Sequence, residues 1–153
     1  HFTSQGIEWS NKIDVGSFSV SAGISYTGTS SFNESLVNDL SWYPQVNGSV
    51  SYCFKPFGLT AGMYYKYNGK VPVYVLDSKG NSLKQTNEDY QLLDVTVSKK
   101  IWKDRIEIGG GLKNIFNVTD VRRFSTGEIH SGGSSSSSLL PGRLFFLKLS
   151  VNI

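Results

Sequence analysis

The sequence predicts an all-β chain: an antiparallel sheet of about seven strands, forming a segment of a transmembrane β-barrel. Three observations predict it. Apolar and polar residues alternate with a period of two through most of the chain. The stretches between the alternating segments run short, long, short, long. Aromatic residues, 13% of the 153, gather near the ends of the segments rather than in one core stretch.

The first segment, Gly6 to Asp14, places Ile7, Trp9 and Ile13 on one parity and Glu8, Ser10 and Lys12 on the other. A tight turn at 14–17 follows, with Gly16 suited to the positive φ of a hairpin. Phe18, Val20, Ala22, Ile24 and Tyr26 then alternate with Ser19, Ser21, Gly23, Ser25 and Thr27, the cleanest strand in the chain. Residues 28–42 lose the alternation and read as a loop. The third strand carries Val46, Gly48, Val50, Tyr52 and Phe54 against Asn47, Ser49, Ser51, Cys53 and Lys55, with Pro44 at its start, where a missing N–H does least harm. After the turn at 55–58, Leu59, Ala61, Met63, Tyr65 and Tyr67 oppose Thr60, Gly62, Tyr64 and Lys66.

A polar loop covers about 68–89, with room for a small hairpin around Asp77–Gly80. The fifth strand sets Leu93, Val95 and Val97 against Asp94, Thr96 and Ser98, and turns at Lys103-Asp104. The sixth sets Ile106, Ile108, Gly110 and Leu112 against Glu107, Gly109, Gly111 and Lys113, and its pattern slips near Asn114, as at a bulge or strand end. Residues 117–140 form the longest loop, which includes a flexible Gly/Ser tract at 132–138. After Pro141-Gly142 the last strand alternates without a break: Phe145, Leu147, Leu149, Val151 and Ile153 on one face, Phe146, Lys148, Ser150 and Asn152 on the other.

The rest of the composition narrows the class. The chain is too aromatic for disorder and too poor in Leu, Ala and Glu for a helical bundle. No apolar run approaches the length of a transmembrane helix, whereas barrel strands need only half as many apolar residues per segment. The single Cys53 excludes an internal disulfide. A net charge of +3 spread along the chain excludes a nucleic-acid surface. No signal peptide reads at His1, so it has been removed or the protein starts elsewhere.

A membrane barrel explains the loop alternation, because outer-membrane barrels have short periplasmic turns and long surface loops. Tyr26, Tyr43, Tyr67 and Tyr90 fall toward the long-loop end, and Phe54, Phe57 and Trp102 toward the short-turn end, as in two interfacial girdles. With short turns in the periplasm, Ile153 ends there and His1 starts at the cell surface. A closed bacterial barrel has an even number of strands, so seven imply the C-terminal part of a larger one.

Four segments in order carry a family likeness: Gly6-Ile7-Glu8-Trp9, Tyr90-Gln91-Leu92-Leu93-Asp94, Gly111-Leu112-Lys113-Asn114-Ile115-Phe116-Asn117, and Pro141-Gly142-Arg143 before the last strand. Together they resemble the C-terminal strands of TonB-dependent outer-membrane receptors. The Ser/Gly loop from His130 to Ser138 is similar to receptors of the Bacteroidetes group. The likeness covers nearly the whole chain and implies a 22-stranded barrel around a plug domain, with these strands about a third of the wall. It also implies the bacterial outer membrane as location and active uptake of a scarce nutrient (a metal chelate, haem, cobalamin or similar), energised through TonB. The implied partners are the rest of the barrel and the plug, the TonB complex acting through that plug, the lipid bilayer, a small nutrient ligand and a surface lipoprotein. Two departures stand out: Ile153 ends the chain where the family has Phe, and the plug with its TonB box is absent from this stretch.

Candidate site residues follow from position. Glu8, Lys66, Asp94, Glu107 and Lys113 read as lumen-facing, with Lys12, as paired charges on a wet wall. Phe145, Leu147, Leu149, Val151 and Ile153 read as lipid-facing. Arg122, Arg123 and His130, in the longest loop, are candidates to touch an anionic or metal-chelate ligand, against the simpler reading of incidental surface charge. With His1 and His130 the only histidines and no base beside the loop serines, no catalytic activity, resident metal or cofactor is expected. The rival expectations are a passive porin and a soluble β-rich binding module.

Overall fold

A computed structural model describes residues 2–31, 40–76, 82–123, 135–138 and 141–151. Its main body is one seven-stranded antiparallel sheet in sequence order: β1 (Phe2–Val15), β2 (Phe18–Ser31), β3 (Ser41–Phe54), β4 (Leu59–Asn68), β7 (Tyr90–Ile101), β8 (Ile106–Lys113) and β11 (Leu144–Val151). Two small hairpin pairs stand apart from it, β5 (Val71–Leu76) with β6 (Ser82–Asn87), and β9 (Asp120–Arg123) with β10 (Ser135–Ser138). The all-β expectation holds: among the described residues the only helical turn is a 3-10 turn at Lys55–Phe57, capped by left-handed Gly58. The sheet is open: β1 and β11 each pair on one side only.

Several expected boundaries move. β2 runs on to Ser31 and β3 begins at Ser41, so the loop expected at 28–42 shrinks to 32–40. β1 extends back to Phe2. Apart from Phe2 and Trp42 these added stretches are polar or small on both parities, and backbone pairing such as Gln5 with Gly28 carries them where side-chain alternation gives no signal. The hairpin expected inside 68–89 forms as β5–β6, and the turn expected at 77–80 lies outside the described residues. The tract read as flexible is paired over Ser135–Ser138, with β9 as its partner. The loop alternation persists between neighbours in the sheet. Residues 16–17, 55–58 and 102–105 link strands at one end; 32–40, 69–89 and 114–143 link them at the other.

Register turns the seven separate alternations into two continuous faces. One row crosses every strand: Ile13 opposite Val20, then Val50, Met63, Val95, Leu112 and Phe145. One residue along, Asp14 faces Ser19, then Ser51, Gly62, Thr96, Gly111 and Phe146. A one-residue slip in any pair would break both rows, so the apolar pattern pins the register. Gly111 marks the tightest point in the sheet, since a Cβ there would collide with the Val95 carbonyl and sit 2.9 Å from the Phe146 ring.

Burial is not concentrated on the apolar face. Among the described residues the only buried hydrophobic is Val121, in β9. The apolar face stands open: Ile7 is 80% exposed, Phe145 79% and Leu147 92%, and mid-sheet Val20 remains 45% exposed. On β2 the polar parity is the more enclosed, with Ser19, Ser21, Ser25 and Thr27 half-buried and Gly23 buried.

Candidate functional site

The polar face carries the charged residues singled out from the sequence. Glu8 lies opposite Ser25, Lys66 opposite Asn47 and Leu92, Asp94 opposite Tyr64, Glu107 opposite Lys100 and Ser150, and Lys113 opposite Leu144. Their partners are local. Lys12 pairs with Asp14 at 3.3 Å, and Glu107 meets Lys148 at 4.0 Å. Lys113 sits over the Phe146 ring, 5.4 Å from its centroid, and one Asp94 carboxylate oxygen accepts from the Asn114 backbone N–H at 2.8 Å. Exposed pairs of this kind contribute little stability, and their main effect is to keep the face wet. Cys53 is on the same face, half-buried opposite Thr60, as a free thiol. On the last strand Phe145, Leu147, Leu149 and Val151 are on the exposed apolar face; Ile153 lies outside the described residues.

Aromatics sort by parity as well as by height. At the long-loop end of the apolar face Tyr26 stacks on Trp42, with centroids 5.0 Å apart. Tyr65 there donates to Gln91 at 3.0 Å, and Tyr67 to Asp89 at 3.3 Å. At the other end Phe18, Tyr52 and Phe54 form a run of ring contacts at 4.4 and 4.3 Å, beyond which Phe57 and Trp102 stand exposed. Tyr43 and Tyr90, expected in the same girdle, belong to the other face. They pair with Thr27 and Asn68, on the polar parity.

There they help to line a cleft of about 250 Å³ between the sheet and the base of the β5–β6 hairpin, with Gln45, Asn68, Asn87 and Glu88. A polar chain runs across three strands beneath it. Ser25 donates to Gln45 Oε1 at 3.3 Å, and Gln45 Nε2 donates to Asn68 Oδ1 at 2.8 Å. Asn68 is only 7% exposed, and its Nδ2 is buried without a hydrogen-bond partner. Gly69 closes the corner: its N–H donates to the Pro44 carbonyl at 2.8 Å.

Glu88 ties this cleft to the β9–β10 hairpin. Its N–H donates to the Arg122 carbonyl at 3.1 Å, its Oε2 accepts from the Arg122 N–H at 3.3 Å, and its Oε1 lies 3.8 Å from Arg122 Nε. The Arg122 guanidinium, a ligand candidate from the sequence, thus sits beside a carboxylate. Arg123 follows it in β9, paired through its backbone register with Ser135; His130 lies outside the described residues. Because this ion pair is half-exposed, Arg122→Ala should cost less than about 1 kcal/mol of global stability. Its expected effect is local, a faster amide hydrogen exchange in 86–89 and 120–123, while exchange in β4 and β7 stays unchanged.

The Asn114–Asn117 stretch and Pro141–Arg143 meet in one junction. Asn114 is buried at 6% exposure in a left-handed conformation, with φ of 53°. Its Nδ2 donates to the carbonyls of Val118 at 2.8 Å and Pro141 at 3.1 Å, and its Oδ1 accepts from the Val118 N–H at 2.9 Å. Asn117 Oδ1 accepts from the Arg143 N–H, and Arg143 Nε donates to the Ile115 carbonyl at 2.9 Å. The exit of β8 is thereby fastened to the entrance of β11.

Gln45, Asn68 and Glu88 were not singled out from the sequence. Parity counting would have placed Gln45 and Asn68 on the polar face, but nothing local brings in Glu88 from beyond the hairpin. No protein-family model, curated protein or solved structure matches the chain.

Proposed function

We propose that this chain is part of the wall of an outer-membrane β-barrel of the TonB-dependent receptor kind, which captures a scarce nutrient at its long loops and imports it actively. One observation carries the membrane half of this reading. A seven-stranded sheet leaves a continuous apolar face exposed, and Val121 is the sole buried hydrophobic among the described residues. Such a face in water would be an aggregation liability far larger than ordinary surface patches. Facing lipid, it needs no second layer, and the five inner strands are paired along both sides.

The dimensions suit a bilayer. Trp42 and Tyr52 stand ten residues apart on one face of β3, about 33 Å along a strand at about 3.3 Å per residue. A tilt of about 40° projects this to about 25 Å, the height of the apolar band in such barrels. Tyrosines at the long-loop end have their rings on the apolar face and their hydroxyls bonded to Gln91 and Asp89, as suits a lipid headgroup boundary. Short links at one end and long ones at the other match periplasmic turns and surface loops. The open edges of β1 and β11 are consistent with further strands completing the barrel, which would enclose a plug acted on by TonB.

The active-transport half rests on the family resemblance and on the junction of Asn114–Asn117 with Pro141–Arg143, which joins two of the segments that carry it. The test uses the full-length protein in outer-membrane vesicles, with single cysteines introduced at Val20 or Val97 and at Ser21 or Ser98 in a Cys53→Ser background. The first pair should react with a lipid-soluble maleimide and the second with a water-soluble one. Reaction of all four with the water-soluble reagent, or a protein monodisperse without detergent, would point to a soluble β module. Uptake that survives collapse of the proton-motive force would replace active import with a passive pore.

A further inference from the structure

We infer that the cleft at the long-loop end of the polar face is a subsite for an uncharged part of the ligand rich in hydroxyl or amide groups, held by Tyr43, Gln45, Asn68 and Tyr90. The inference deepens the proposed function and rests on it in one respect, that the polar face is the inside of a transport barrel.

The composition of the cleft sets the ligand chemistry. Asn68 and Gln45 offer amides, Tyr43 and Tyr90 offer aromatic bodies with hydroxyl tips, and Thr29 adds a hydroxyl. Among its described lining residues none is a Lys, Arg or His, and its one carboxylate, Glu88, faces Arg122 across the hairpin contact. With Glu88 paired to Arg122, the cleft has no lining cation to attract an anionic ligand. A neutral polar group meets donors and acceptors it can satisfy.

Asn68 supplies the second, independent observation. A buried amide donor without a partner is uncommon and destabilising, because it has given up water and gained nothing in return. Its Oδ1 is engaged by Gln45, so Nδ2 is the end of the amide left without a partner. An oxygen acceptor entering the cleft would satisfy that donor with a small turn of the Gln45–Asn68 pair. At about 250 Å³ the space falls just below that of whole ligand pockets, so it fits one ring or one residue of a larger ligand. The same contact connects ligand to loop, since Glu88 lines the cleft and holds Arg122 of the β9–β10 hairpin.

The experiment uses the full-length protein in a detergent without a sugar headgroup, such as lauryldimethylamine oxide, and titrates three probes by saturation-transfer NMR. Maltotriose represents hydroxyl-rich ligands, N-acetyl-trialanine amide represents neutral amides, and ferric citrate represents anionic chelates. At least one neutral probe should bind, and ferric citrate should not displace it. Asn68→Asp keeps the shape and the Oδ1 acceptor but removes the free donor; it should weaken that probe by about tenfold or more. Tyr90→Ala, which leaves the amide pair intact, should weaken it as well and serves if Asn68→Asp fails to assemble. Whichever neutral probe responds identifies the source of the chemistry. Failure of both neutral probes at millimolar concentration, or unchanged affinity in a folded variant, overturns the subsite. TonB-dependent uptake of ferric citrate in a protein that binds neither neutral probe would sink the subsite while leaving the transport reading intact. A neutral probe that binds here without any energised uptake would do the opposite.

Discussion

Met63→Arg should prevent stable assembly, whereas Tyr64→Arg, one residue along, should be tolerated. Both side chains are substantially exposed, 46% and 41%, so solvent accessibility does not separate them. The face does. Met63 lies midway along β4 in the apolar row between Val50 and Val95, and Tyr64 lies on the polar row between Ser49 and Asp94. An Arg at the lipid-facing midplane of a barrel costs about 2–4 kcal/mol. An exposed substitution in water usually stays within about 0.5 kcal/mol. At position 64 the new guanidinium would gain Asp94 as a cross-strand neighbour, which offsets part of the lost aromatic packing. Urea unfolding of the full-length protein refolded into lipid vesicles measures the difference, and the heat-modifiable gel band reports assembly in cells. Equal behaviour of the two variants would remove the lipid from the outer face and with it the membrane reading.

The same contrast explains how much of the fold was legible beforehand. Where one face is apolar and the other polar, alternation is a direct record of the sheet, and the central parts of all seven strands were readable from it. Outside the apolar band both faces are polar, so the alternation vanishes while the backbone pairing continues. Gln5, Gly28 and Thr29 are in strands for that reason, though Gln5 falls before the first strand read from the sequence and Gly28 and Thr29 read as loop. The serines at 135–138 pair with β9 through their backbone, which no side-chain pattern announces. Tyr43 and Tyr90 were given the right height and the wrong face. Proximity to a strand end ignores parity, which for Tyr43 is that of Gln45.

The cleft was less legible still, because it draws on six strands, β2 to β7, and on Gly69 and Glu88 between them. Only register brings Asn68 beside Gln45 and Tyr90, and only the return of the β5–β6 hairpin delivers Glu88. The charges on the wall had the right face but no predictable partners, since Lys148 is 41 residues from Glu107.

Asn114→Ala should be the most damaging conservative change outside the apolar face, at about 3 kcal/mol. In the sequence Asn114 is merely where the alternation of β8 slips. In the fold it is the pin of the junction, buried, with three side-chain hydrogen bonds to Val118 and Pro141. Alanine leaves the Val118 N–H and two carbonyls to find other partners, at about 1–3 kcal/mol for those left buried and unpaired. It also places a Cβ residue without Asn's local hydrogen bonding at φ of 53°, where left-handed backbone costs about 1–2 kcal/mol. Asn114→Gly separates the two contributions: it relieves the backbone but restores no hydrogen bond, so it should fall between Ala and the unsubstituted protein. The consequence extends to β11, whose first residues are fastened through Asn117 to the Arg143 N–H and through Arg143 to the Ile115 carbonyl. Exchange of the Arg143 and Leu144 amides should therefore accelerate in Asn114→Ala while that of β2 and β3 does not. An unfolding free energy within about 0.5 kcal/mol of the parent, the range of an ordinary surface change, would show that the junction records proximity rather than a fastening.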